Sequence, residues 1–126
     1  MKVLIALPLE HKSYHSLDDI ISGQAPVNGT DGSMIRLAGL LTKSGIEVFL
    51  SAASPLFSCH FKSINHGSVK AEEFDHLIVH QGHWNGTSLT FGNQALPKTC
   101  LWLHLEAQKT LVYTFLCEGG RRVVCP

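Results

Sequence analysis

The chain has 126 residues and a mass of 13.8 kDa, which is the size of one compact domain. Hydrophobic residues make up 44% of it and charged residues 16%, a composition that can fill a core and that excludes intrinsic disorder. Ten basic residues balance ten acidic ones, so no long-range field exists to attract nucleic acid. We therefore expect a single domain over residues 1–126 and no nucleic acid partner.

The beginning of the chain and the cysteines bear on the compartment. The opening apolar run is interrupted by Pro8 and Glu10, so it is too short to span a membrane, and it lacks the small-residue cleavage pattern of a signal peptide. The four cysteines are widely spaced without a CxxC pair, which favours buried free thiols in a reducing compartment. We expect a cytoplasmic protein, and peripheral association with a membrane stays open.

The first half of the chain predicts a strand, a long connection, a helix and a second strand. Val3–Leu7 is continuously apolar, as in a parallel strand buried on both faces. Pro8–Thr30 is a long polar connection of the kind that often carries function. Asp31–Lys43 has apolar residues at helical spacing, followed by a glycine suited to a helix C-terminus at Gly45. Glu47–Ala52 predicts the second strand.

The second half continues the alternation. Residues 54–73 resist assignment, although the spacing of Phe57, Phe61 and Ile64 favours one short helix. The remaining elements are predicted as strands at Leu77–His80, Lys98–Leu105 and Val123–Cys125, and a helix at Glu106–Cys117 with Ala107, Leu111, Val112, Phe115 and Leu116 turned inward. This order predicts an α/β, Rossmann-like three-layer sandwich with a mainly parallel sheet. No closing helix follows the last strand, so we expect a sheet truncated at its C-terminal end, with an open edge that permits self-association.

Candidate site residues follow from where such folds bind ligands, which is outside the carboxyl ends of the strands. The glycines of Gly29–Ser33 would let a phosphate or a sugar hydroxyl approach the first helix, although Thr30 or Asp31 in the role of a helix cap explains this segment equally well. Histidines follow the predicted strand ends, and an imidazole there suits hydrogen bonding to a sugar hydroxyl. These histidines are His80, His83 and His104, and each is also compatible with an ordinary core or surface position.

Trp84 adds an aromatic face that could stack on a sugar. It follows His83 directly in a segment rich in glycine and asparagine, residues 82–96. We expect this segment and the connection over residues 8–30 to form polar loops that contact an acceptor.

Several site classes lack their sequence patterns. Neither GxGxxG nor GxxxxGK[ST] is present, so no dinucleotide cofactor is expected. No GxSxG elbow follows a predicted strand, so a serine hydrolase is not expected. The histidine and cysteine spacings match no zinc pattern, so no metal is expected either.

The chain resembles, over nearly its whole length, the N-terminal domain of a GT-B-fold glycosyltransferase of the group 1 (family 4) type. The segments that carry the resemblance are KVLIALP, DGSMIRLAGLLTKSGIEVFL, FDHLIVHQGHW, LPKTCLWLHLEAQKTLVYTF and RRVVCP. The resemblance implies two Rossmann-like domains that face a cleft. The N-terminal domain mainly binds the acceptor, and the C-terminal domain binds the nucleotide-sugar donor.

The resemblance also suggests roles for individual residues. Asp31, Gly32 and Ser33 match the family's glycine-rich loop at the first helix, except that Asp31 and Gly32 replace its usual glycine pair. His80 matches the histidine that ends the family's next motif strand. His104 matches the histidine near the transferred sugar, and it is the expected catalytic-site residue.

The function implied is that of the acceptor-binding domain of a retaining glycosyltransferase that uses a nucleotide-sugar donor. The expected partners are that donor, bound through a further domain, and a saccharide or small-molecule acceptor. Nothing in the 126 residues matches the family's paired-glutamate donor motif, so we expect the isolated chain to be inactive. The alternative is a non-catalytic Rossmann or flavodoxin-like module that binds a small ligand or a partner protein.

Overall fold

A computed structural model of the protein describes residues 1–10, 17–23, 29–54, 56, 58, 61–103 and 109–124. The strands are β1 (Lys2–Ala6), β2 (Glu47–Ala52), β3 (Lys62–Asn65), β4 (His76–His80), β5 (Thr99–Trp102) and β6 (Arg122–Val124). The helices are α1 (Leu17–Ser22), α2 (Gly29–Lys43) and α3 (Lys109–Cys117). Short 3-10 turns lie at His66–Ser68, Ala71–Glu73, Gln81–His83 and Asn93–Lys98.

The six strands form one sheet in which every pairing is parallel and the order is β3-β2-β1-β4-β5-β6. The chain moves outward from β1 through β2 to β3, then returns to β4 on the other side of β1 and moves outward again. This arrangement confirms the α/β, Rossmann-like fold that the sequence predicts. The direction of winding reverses between β1 and β4, and the carboxyl ends of these strands flank the crevice where ligands bind in open α/β sheets.

The core is divided by β1, whose side chains alternate between the two faces of the sheet. Val3 and Ile5 pack with apolar residues of α1, α2 and β2 on one face. Leu4 and Ala6 pack on the other face with residues of β4, β5 and α3. All four side chains are buried, as expected of a central parallel strand.

The two faces are covered differently. On the first face α1 and α2 pack together, and α2 also contacts β2. On the second face the cover comes from Phe115 of α3 and from the connections over residues 66–74 and 81–98. Ile78 lies beside Ile5 in the register and on the first face, yet it is only partly buried. The described helical cover of that face therefore thins from β1 towards β4.

Two elements differ from the sequence prediction in kind. The connection after β1 contains α1, a short helix whose Leu17 and Ile20 are buried three residues apart. The short helix expected around Phe61 and Ile64 is wrong, because residues 62–65 form β3 beside β2. Strand pairing decided this segment, since four residues of which only Ile64 is partly buried carry little periodic signal.

Boundaries and inward faces also differ in places. α2 begins at Gly29, so Thr30 and Asp31 lie inside its first turn, and neither is the cap that the sequence predicts. Gly45 has φ +86° and ends the helix as predicted. In the last helix Phe115 is fully buried, but Leu116 is 44% exposed and Cys117 is exposed. At 100° per residue, positions 116 and 117 turn away from the face that holds Phe115, so the predicted burial of both is wrong.

The close approach of Gly120 to the Phe115 ring generates the first testable prediction. A Cβ atom at position 120 would overlap that ring, and Phe115 is fully buried. We expect Gly120→Ala to lower the free energy of unfolding by about 1–3 kcal/mol, because an overpacked core must shift. Urea unfolding of the variant and the parent protein measures the difference.

Gly120→Ala combined with Phe115→Leu is the control. The smaller side chain leaves space for the added methyl group, so the alanine should cost less in this background than in the parent. An equal cost in both backgrounds would contradict the packing explanation.

Candidate functional site

The candidate site lies along the carboxyl ends of β1, β2 and β4. A cluster of polar and aromatic side chains occupies this edge, and we call it the histidine cluster. Its members come from β2, from the 3-10 turns that follow β3 and β4, and from the connection between β4 and β5. They are Ser51, His66, His83 and Phe91.

His83 is held in the cluster by the end of β1. Its Nε2 atom lies 2.7 Å from the carbonyl oxygen of Leu7. Because a carbonyl only accepts, Nε2 carries the proton and Nδ1 is left with its lone pair. Only 1% of the side chain is exposed, and Nδ1 has no hydrogen-bond partner among the described residues.

Burial lowers the pKa of His83 to about 4. This pKa already includes a rise from the bond to Leu7 and smaller reductions from charge repulsion by His66 and His80. His83 is therefore neutral at physiological pH, and it is too weakly basic to serve as a general base near pH 7.

His66 makes a similar contact with the next backbone carbonyl, that of Pro8. Its Nε2 lies 3.4 Å from the carbonyl oxygen of Pro8, and its Nδ1 lies 3.0 Å from Oγ of Ser51. With the proton on Nε2, Nδ1 accepts from the serine hydroxyl. Burial lowers the pKa of this half-buried imidazole as well, and the bond to Pro8 partly offsets the effect.

The rings of the cluster are in direct contact. His66 meets His83 edge to face with centroids 4.9 Å apart, and Phe91 stacks on His83 at 5.0 Å with an interplanar angle of 25°. These contacts hold both imidazoles against the end of β1. The pair is thus built to bind backbone carbonyls rather than to face solvent.

The predicted glycine-rich loop is instead the first part of α2. Asp31 is fully buried, Gly32 is buried and Ser33 is partly exposed. Asp31 occupies the first helical turn, where a carboxylate is favoured by the partial positive charge of the helix end. Of these three predicted site residues, only Ser33 presents a side chain towards solvent.

His80 lies where the sequence predicts it, at the carboxyl end of a strand. It ends β4 and is partly exposed. Its Nδ1 accepts the backbone N–H of Gly82 at 3.1 Å and so caps the turn at Gln81–His83. This cap fixes the orientation of the imidazole at the carboxyl edge.

Trp84 does not form the predicted ligand platform. It is 3% exposed, and its ring packs edge to face against Phe115 with centroids 5.5 Å apart. Neither face of the indole is open to a sugar. The predicted loop over residues 82–96 buries its apolar residues Leu89, Phe91, Ala95 and Leu96 in the core. Its polar residues Asn85, Thr87 and Ser88 are exposed, and their contact with an acceptor stays a prediction.

The remaining predicted residue, His104, lies outside the described residues. The structure adds Ser51 and His66. In the sequence His66 is a candidate only as a zinc ligand, and its spacing matches no zinc pattern. A strand ending at Asn65 would have marked His66 as one more histidine at a strand end, but the short β3 gave no clear signal. Ser51 sits within β2 and carries no sequence mark of a polar cluster.

A groove between α1 and α2 lies apart from this edge. It has a volume of about 520 Å³ and is lined by Asp18, Ile21, Ser22, Gly39, Thr42 and Lys43. The α2 residues that line the groove belong to the C-terminal half of that helix, whereas Ser33 lies near the beginning of the helix. The groove is therefore separate from the site predicted at the carboxyl edge.

Within the described ranges, no group of three or more His, Cys, Asp or Glu side chains could hold a metal ion. Among the helices of the described part, none is both long and apolar enough to cross a lipid bilayer. Comparison with models of protein families, with curated proteins and with solved structures found no match.

The position of Trp84 predicts a structural role. Trp84→Ala should lower the free energy of unfolding by about 3–5 kcal/mol, because it removes a large buried ring and leaves a cavity. Trp84→Phe should cost less, since it keeps an aromatic ring against Phe115. Urea unfolding monitored by circular dichroism measures both effects. Normal stability of the alanine variant would contradict the core position and return Trp84 to the candidate ligand residues.

The lowered pKa of His83 predicts a loss of stability in acid. Its pKa is about 4 in the folded chain against an ordinary 6.5, so the unfolded chain binds the extra proton more readily as the pH falls below 6.5. The stability due to neutral His83 is thus complete above pH 6.5 and is lost as the pH falls towards 4. From about pH 7.5 to about pH 5 the loss is about 2 kcal/mol.

Urea unfolding of the parent protein and of His83→Gln at both pH values measures this contribution. Gln keeps a donor near Leu7 but does not titrate, so the parent should lose about 2 kcal/mol more than the variant. Equal losses would show that His83 does not contribute to the acid sensitivity.

Proposed function

We propose that this chain is the acceptor-binding domain of a retaining glycosyltransferase that takes sugar from a nucleotide-sugar donor. The donor would be bound by a second domain. The observation that carries the proposal is the all-parallel order β3-β2-β1-β4-β5-β6 with His80 at the reversal between β1 and β4. This is the position at which open α/β sheets bind ligands.

The chemistry at this edge supports recognition of an uncharged polyol. His80 and Ser33 are partly exposed hydrogen-bonding side chains, and an imidazole or a hydroxyl can both donate to and accept from sugar hydroxyls. The buried carboxylate of Asp31 lies in the first turn of α2. It disfavours a phosphate at that helix end, because two negative charges would compete for the same partial positive charge.

In this proposal the domain acts by positioning. Oriented hydrogen bonds from Ser33 and His80 would hold the acceptor so that its reactive hydroxyl faces the donor. His104, which the resemblance associates with the transferred sugar, would complete the site. His83 is neutral and bonded to Leu7, so its part in this scheme is to support the edge of the site and not to contact substrate.

Saturation-transfer NMR on the 126-residue chain tests the proposal with four kinds of ligand: mono- and disaccharides, sugar phosphates, nucleotide sugars and a flavin mononucleotide. We expect neutral saccharides to bind more tightly than the phosphorylated or nucleotide ligands. His80→Ala and Ser33→Ala should each weaken saccharide binding by about threefold to tenfold, the effect of one lost hydrogen bond.

His76→Ala is the matched control, because His76 begins the same strand and lies at its opposite end. It should leave saccharide binding unchanged. Binding of the flavin without any saccharide would favour the alternative, a non-catalytic binding module. Saccharide binding that is insensitive to both Ser33 and His80 would contradict the proposed site.

Self-association through a sheet edge stays a prediction, and analytical ultracentrifugation of the same samples measures it.

A further inference from the structure

Two imidazoles hold two successive backbone carbonyls at the end of β1. His83 bonds the carbonyl of Leu7, and His66 bonds that of Pro8. The partners are separated by 76 and 58 residues in the sequence. The N–H of Leu7 in turn donates to the carbonyl of Ser51 at 3.0 Å. Leu7 and Pro8, which precede the exposed Leu9 and Glu10, are therefore held by long-range contacts.

These contacts suit neutral imidazoles and oppose charged ones. A proton added to His83 would go to Nδ1, which is buried and has no acceptor within the described part of the chain. A proton added to His66 would go to Nδ1, which already accepts from Ser51. The Ser51 hydroxyl would then have to accept a hydrogen bond from His66 instead of donating one. Each protonation therefore disrupts the closed arrangement.

The surroundings of the pair provide no compensating charge within the described residues. From β4, His80 faces His83, and from the turn after β3, His66 does so; both act on it as cations when protonated. β1 contributes the carbonyls of Leu7 and Pro8. β2 contributes the Ser51 hydroxyl, and the connection after β4 contributes the Phe91 ring. A second proton on the pair would meet the repulsion of the first across 4.9 Å.

We propose that His66 and His83 form an acid-sensitive latch that holds the carboxyl end of β1 closed near neutral pH and releases it when the imidazoles take up protons. In the open form the charged rings reach water, and the Leu7 and Pro8 carbonyls lose their partners. The latch sets the position of Leu7–Glu10 at the crevice beside β4. The inference goes beyond the proposed function, since it holds whether or not a saccharide binds there.

Linkage gives the size of the effect. In the open form His83 has the ordinary pKa of 6.5, and in the closed form its pKa is about 4. Between about pH 7.5 and about pH 5, His83 alone therefore raises the ratio of open to closed chains about thirtyfold. His66 adds to this ratio in the same direction, since burial lowers its pKa too.

Native-state hydrogen exchange of the whole chain tests the latch. The Leu7 amide reports on the end of β1, and the Ile5 amide, in the middle of the strand, is the internal reference. After correction for intrinsic rates, Leu7 should lose about thirtyfold in protection between about pH 7.5 and about pH 5. Its exchange should depend little on low urea concentrations, whereas exchange at Ile5 should follow global unfolding and its urea dependence.

Two variants separate the latch from a general effect of acid. His83→Gln keeps a donor to Leu7 without a titrating group, so the acid-dependent loss of protection at Leu7 should shrink to the part due to His66. His66→Gln should leave the contribution of His83. Imidazole nitrogen shifts of the parent protein provide a readout that needs no variant, and His83 should stay neutral with its proton on Nε2 down to about pH 5.

The proposal is overturned by any of four results. Protection at Leu7 that is independent of pH would show that no acid-driven opening exists. Equal protection and equal urea dependence at Leu7 and Ile5 would show that the end of β1 opens only in global unfolding. An unchanged acid response in His83→Gln, or a charged His83 imidazole near neutral pH, would show that His83 is not the latch.

Discussion

β1 is the strand on which the rest of the structure depends. It is hydrogen-bonded along both edges, to β2 and to β4, and it is buried on both faces. Its alternating side chains contribute to two separate apolar clusters. Because the chain winds outward in opposite directions from this strand, the carboxyl end of β1 lies at the position where open α/β sheets generally bind ligands. The stability of the core and the position of the site are thus set by the same five residues.

The end of β1 is also where polar chemistry enters the core. Buried backbone carbonyls just beyond the end of a strand need hydrogen-bond donors. Here two imidazoles supply them. A histidine is an unusual choice for this task, because it adds a titrating group to a dry environment. The choice makes the closed form depend on neutral rings. It also distinguishes His66 and His83, which support the backbone, from His80 and Ser33, whose side chains are partly exposed.

The sequence determined the long helix and every described strand except β3, because the signals of these elements are local. Val3–Leu7 and Leu77–Val79 are apolar without interruption, and α2 repeats apolar residues at helical spacing before a glycine of positive φ at Gly45. Alternation of such elements is enough to predict a parallel sheet between helices. It is also enough to place His80 at the carboxyl end of a strand.

Only the tertiary structure decided which side chains are buried between these elements. His83 and Trp84 follow a strand in a glycine-rich segment, as ligand-binding residues do, yet the return of residues 84–96 onto the sheet buries both. β3 is set by pairing with β2 and not by its own four residues. His66 gains its partners Ser51 and Pro8 from other parts of the chain. Burial and long-range pairing depend on contacts between distant segments, and local periodicity carries no record of them.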